Sequence, residues 1–149
     1  MANNLELRRT RRGQRGQTVV EFALAGTVLL SLMFAVIDFG RALFTYNVVT
    51  NAARIGSRYA IVHGSSCTLA ICPASSSAIQ TYVLSKVSGL NPSQLTVTAR
   101  WTTGSGCGDP MFQGPNCIVT VTATYPFKLV MSLNRSWTMT ATSQMVISQ

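Results

Sequence analysis

Acid is scarce in this chain. Among its 149 residues only Glu6, Glu21, Asp38 and Asp109 are acidic, and charged residues of both signs make up 11%. Histidine is scarcer still, with His63 alone. One imidazole and two carboxylates beyond residue 37 cannot furnish an acid–base pair together with a metal site, so no enzyme is expected. The segment Gly104-Ser105-Gly106-Cys107-Gly108 lacks the lysine and following helix of a phosphate-binding loop. The cysteine spacings do not suit a zinc ribbon either, and no cofactor is expected. Proline is absent from residues 18–62, so nothing there forces a helix to break.

The formal charge of +8 raises the question of nucleic acid, and its placement answers it. Arg8, Arg9, Arg11, Arg12 and Arg15 precede Gln17 and face only Glu6, which puts half of the net charge in the first sixteen residues. The remainder is scattered, with no basic stripe and no aromatics interleaved. This is the pattern of a charged flank to a membrane helix, and nucleic acid is not an expected partner. From Phe22 to Ile37 no residue is charged, and extension to Val19 adds only Glu21. At about 1.5 Å per residue that run approaches the ~30 Å of a hydrocarbon core, so membrane lipid is an expected partner. The arginines keep the leader cytoplasmic and send the C-terminus outward. Cys67, Cys72, Cys107 and Cys117 all fall on the exported side, where disulfides persist. Four cysteines allow three connectivities. Local pairing, Cys67–Cys72 and Cys107–Cys117, is favoured because each pair closes a Gly/Ser/Pro loop, the second at the base of a hairpin.

Helical periodicity continues past the apolar run. Phe44, Val48, Ala52, Ile55, Tyr59 and Val62 recur at spacings of three and four, while Asn47, Asn51, Arg54 and Arg58 keep the same rhythm on the opposite face. One helix of about 45 residues is expected, stopping at Gly64, with Gly40 and Gly56 as internal weak points. Ser75–Ser77 offer N-caps for a second helix carrying Ile79, Tyr82, Val83, Lys86 and Val87, with Gly89 as its stop. Alternation then changes to period two. Leu95, Val97, Ala99 and Trp101 form one inward set; Val119, Val121, Ala123 and Tyr125 form another; Trp137, Met139 and Ala141 form a third, each interleaved with threonine or arginine. The fold class expected is α+β: a long N-terminal transmembrane and amphipathic helix, a second short helix, and a three-stranded antiparallel sheet. Met111 and Phe112, in the loop between the first two strands, are expected to fold back onto the domain. The Asn134-Arg135-Ser136 sequon is discounted as a chance match.

The junction between leader and stem carries a resemblance. The run R-G-Q-R-G-Q-T-V-V-E-F places Gly16 at the end of the basic leader, Glu21 five residues on and Phe22 next. This resembles the processing site of type IV prepilins of the Flp/Tad branch. The elements E-F-A-L, D-F-G-R-A and N-A-A-R-x-G-x-R-Y-A are similar to the stem of TadE-like pseudopilins and cover residues 16–60. The resemblance implies a pilin-like fold and cleavage between Gly16 and Gln17 by a prepilin peptidase. It implies three parts: a basic leader (1–16), a stem (17–44) in the bacterial inner membrane, and an exported domain (45–149). It implies other pilins and the Tad assembly machinery as partners, with Glu21, Asp38, Arg41, Arg54 and Arg58 as candidates for contacts between stems. Asp38 and Arg41, three apart, also suit a pair on one helix face at the membrane border. A reading from a different class is a membrane-anchored exported adhesin or binding module outside any pilus. A simple anchor leaves the N-A-A-R element unexplained, and a signal peptide removed after Ala42 is opposed by a slightly long apolar core and by the helical period that runs through to Val62.

Overall fold

The computed structural model describes residues 3–65, 67–68, 72–102, 107, 114, 116–130 and 136–147, with side chains from Gly16 onward. Asp109, Met111, Phe112 and the sequon residues Asn134 and Arg135 lie outside the described residues, as do the side chains of the leader arginines. Helix α1 spans Asn3–Val62 and α2 spans Ser76–Lys86. Strands β1 (Thr96–Thr102), β2 (Ile118–Lys128) and β3 (Ser136–Val146) follow. They form an antiparallel sheet in the order β1-β2-β3, so the fold is α+β as the patterning predicts. The chain divides into two compact units, Met1–Gly40 and Arg41–Gln149.

In the first unit α1 starts upstream of the expected point, because its leader backbone is helical too. Its apolar stretch is exposed: Val19, Phe22, Leu24, Leu29, Leu32, Met33, Val36 and Phe39 find no cover among the described residues. The window is long and apolar enough to cross a membrane, and none of it is buried as the core helix of a soluble protein is.

In the second unit the same helix becomes the spine of a two-layer domain. The buried face is not the one the large apolar residues mark. Phe44 and Val62 are exposed, and Val48, Ile55 and Tyr59 are only half-buried. Thr45, Val49, Ala52, Ala53, Gly56, Ser57 and Ala60 are buried in their place. Small side chains let the helix axis approach the sheet, and the larger residues flank the seam. At Gly56 an added Cβ would lie 2.8 Å from Val121 Cγ1 and 3.3 Å from Ile79 and Val83 methyls. Gly56 is therefore where α1, α2 and β2 meet most closely, not a weak point. Ser57 Oγ donates to the Arg54 carbonyl (3.1 Å) and pairs with Ser143 Oγ (2.9 Å), tying α1 to β3.

Helix α2 begins as the triple serine predicts. Ser75 caps it by accepting from the Ala78 amide at 3.2 Å. Ser76 Oγ accepts the Ala99 amide at 3.0 Å, which satisfies a donor on the edge strand β1. Ile79 and Val83 are buried. The chain turns after α2 at Gly89, whose φ of +91° a side chain would strain. The inward set Leu95, Val97, Ala99, Trp101, Val119, Val121 and Ala123 is buried, and β1 alternates strictly. Thr96, Thr124 and Thr140 share one rank across the outer face, and Thr98, Thr122 and Thr142 the next.

Trp137 departs from expectation. It belongs to the inward phase but is 61% exposed, while its register partner Phe127 is buried. At this end β1 has not begun, since Thr96 pairs with Thr124, and only β2 and β3 are present; the Arg41 guanidinium lies over Phe127 on β2. Both local disulfides, Cys67–Cys72 and Cys107–Cys117, are present. The second closes the β1–β2 connection, and the β2–β3 ladder is prolonged beside it. The Asn116 amide donates to the Ile147 carbonyl (3.0 Å), and the Ile147 amide to the Cys117 carbonyl (2.8 Å).

Candidate functional site

No cluster of histidine, cysteine and carboxylate able to hold a metal occurs among the described residues, so the candidate site is the stem itself. Gly16, Gln17, Val20, Glu21 and Leu24 line one shallow groove on a single face of α1. Their spacing follows from 3.6 residues per turn, which stacks Gln17 beneath Glu21 and Val20 beneath Leu24. Among the described residues, and apart from the helix's own neighbouring backbone, no heavy atom lies within 4 Å of where a Gly16 Cβ would sit. Glu21 and Phe22 are both exposed, Phe22 to 80%. An exposed carboxylate inside an otherwise apolar helix is the feature of this face with the strongest chemical consequence.

The remaining candidate residues fall in two environments. Asp38 is 4% exposed, whereas Arg41 is exposed with its guanidinium 5.5 Å from the centre of the Phe127 ring. Arg54 and Arg58 are both exposed, one turn apart on the face of α1 opposite the sheet. Gly16, Gln17, Glu21, Phe22 and Asp38 belong to the first unit, and Arg41, Arg54 and Arg58 to the second. His63 directly follows α1. Its Nδ1 lies 2.9 Å from the Tyr59 carbonyl, and its ring stacks on Tyr59, which in turn stacks on Tyr82. The sequence shows His63 only as the single histidine, just before the expected helix stop at Gly64. The stack was not legible because it joins two helices across a loop.

Residues 16–58 match the family model described as TadE-like protein. The stem is TadE-like. The match begins at Gly16, the last residue of the leader, leaves the leader arginines outside, and includes Glu21, Asp38, Arg41, Arg54 and Arg58. It covers less than a third of the chain, and α2, the sheet and both disulfides lie beyond it. No curated protein and no solved structure matches the chain. A TadE-like stem associates the protein with a Tad pilus, and its near-N-terminal apolar helix suits it to a membrane anchor.

Proposed function

We propose that the chain is a minor pilin, or pseudopilin, of a Tad/Flp-type pilus, held in the bacterial inner membrane with its leader cytoplasmic and its domain exported. The observation that carries this reading is the TadE-like match beginning at Gly16. A prepilin peptidase then cuts between Gly16 and Gln17. The bond lies inside α1, so cleavage requires local unwinding. Gly13 and Gly16 ease it, since each glycine weakens a helix by about 1 kcal/mol relative to alanine. Cleavage leaves an α-amino group on Gln17, one turn from Glu21. An unpaired acid in lipid costs roughly 2.5 kcal/mol or more. Pairing with the ammonium of a neighbouring stem offsets that cost only when two stems dock in one register. Glu21 thereby becomes a device for alignment in assembly, and the disulfide-bearing domain presents its outer surface to other pilins.

Sequencing the mature N-terminus tests the reading. A chain starting at Gln17 supports it, Met1 or Ala2 supports an unprocessed anchor, and Leu43 supports a removed signal peptide. Gly16→Leu is expected to leave an uncut precursor. Unchanged processing in that variant would rule out cleavage at Gly16. Glu21→Leu is expected to be processed and membrane-bound but not to support piliation; normal pili would remove Glu21 from assembly.

A further inference from the structure

Trp137 and its surroundings carry an inference about where the domain rests. Three contacts fix the end of the Arg41–Gln149 unit at which α1 enters. The Arg41 guanidinium sits 5.5 Å over the Phe127 ring. Phe127 pairs in register with Trp137, so both rings project from the same face of the sheet. One turn along α1, the Phe44 ring lies against Gly89, where an added Cβ would come within 3.0 Å of Cζ. Arg41 and Phe44 differ by about 4.5 Å in height along the helix. A single level of the domain therefore holds Arg41, Phe44 and Trp137, on both flanks of α1. Phe44, Tyr46, Val130 and Trp137 are each more than half exposed there, and Lys128, beside Phe127, is exposed too. Among the described residues this level carries cations and no exposed acid; Asp38, the acid nearest in sequence, is buried.

We infer that this end of the domain is seated in the lipid headgroup layer, with Trp137, Phe44 and Tyr46 as its interfacial aromatics and Arg41 and Lys128 as its cations. Tryptophan and tyrosine concentrate at such interfaces because an amphipathic ring is satisfied on both sides, and lysine and arginine reach from there to anionic headgroups. The chain itself selects this occupant. Arg41 stands four residues after Ile37, where the uncharged run ends, so in sequence this surface begins just beyond the segment read as membrane-spanning. The seat fixes the domain in height and tilt before any partner engages it. The inference rests on the membrane reading of the stem given above.

Tryptophan fluorescence tests it, because the chain has only Trp101 and Trp137 and the first is buried. The full chain is placed in phosphatidylcholine vesicles with a minority of anionic phosphatidylglycerol. The lipids are brominated either near the headgroup end of their chains or near the bilayer centre. Shallow bromine is expected to quench the wild-type chain, and Trp137→Phe, a change at an exposed site, is expected to abolish that quenching. If Trp137 instead responds to aqueous acrylamide and to no bromine, the domain stands clear of the bilayer and the inference is overturned. Shielding from both quenchers means a protein contact covers Trp137, and overturns it equally. Phe34→Trp in the Trp137→Phe chain reports on the stem separately. Quenching of that probe by deep bromine upholds the membrane reading whatever Trp137 does. If it responds to no bromine, the membrane reading fails and the inference falls with it.

Discussion

Gly56→Ala isolates the packing of the spine on its domain. The added methyl would approach Val121 Cγ1 to 2.8 Å and the Ile79 and Val83 methyls to 3.3 Å. Val121 is β-branched, stiff at χ1 and central in the sheet, so it cannot swing aside. Overpacking of this kind costs about 1–3 kcal/mol, and with three neighbours crowded the upper part of that range applies. Against it stands the better helix propensity of alanine, worth about 1 kcal/mol. The net expectation is a destabilisation of about 1–2 kcal/mol, or roughly 4–16 °C in Tm for a domain near 100 residues. Gly40→Ala is the control, since nothing lies within 4 Å of its added Cβ. Propensity then acts alone, and the variant should be as stable as the parent or more so. Thermal unfolding of the full chain in detergent, followed by near-ultraviolet dichroism of buried Trp101, measures both. A Gly56→Ala protein as stable as Gly40→Ala would refute the close approach of α1 to β2 and α2.

Further consequences follow from individual contacts. Ser76→Ala withdraws the acceptor of the Ala99 amide and should cost about 1–3 kcal/mol, whereas Ser75→Ala loses only a cap and should cost about 1. Urea titration at constant m-value checks the order. Replacing Cys107 and Cys117 together by serine removes a short loop closure and should cost about 2–3 kcal/mol. A midpoint shift under reducing conditions that the double variant no longer shows confirms the source. Gly89→Ala meets both a positive φ and the Phe44 ring and should lower Tm, while Gly89→Asn, which tolerates that φ better, should lower it less.

Much of this architecture was legible in the sequence, for identifiable reasons. The threonine alternation located all three strands because side chains on a half-buried sheet repeat every two residues. The serine cluster located α2 because hydroxyls compete for orphan amides at a helix start. The buried face of α1 was misread by one position. Patterning weights large apolar residues such as Phe44 and Ile55, but this seam is built from Ala52, Ala53, Gly56 and Ser57, whose value is their small size. Trp137 was misassigned because periodicity tells which face a residue occupies, not whether a helix extends far enough to cover it. The candidate stem residues were found by motif alone. Glu21 lines a shallow groove and Asp38 is buried, while Arg41, Arg54 and Arg58 are exposed, and patterning does not foretell that division.

The N-A-A-R-x-G-x-R-Y-A element divides cleanly by what its members touch, and the division yields a last prediction. Ala52, Ala53, Gly56 and Ala60 are buried by folding of the chain itself, and Tyr59 stacks on Tyr82. Their presence is explained without any partner. Arg54 and Arg58 are exposed and one turn apart, where like charges oppose each other by about 0.2–0.5 kcal/mol. Folding gives no reason for two cations there. Arg54→Gln with Arg58→Gln should therefore leave stability within about 0.5 kcal/mol of the parent, as surface changes do, or raise it slightly. If these arginines meet a neighbouring subunit, the same double variant should be processed and exported normally yet assemble pili poorly. Restoring one arginine at a time shows which of them carries the contact. Full piliation by the double glutamine chain would assign both residues to solvation and move the assembly surface to the stem above Gly40.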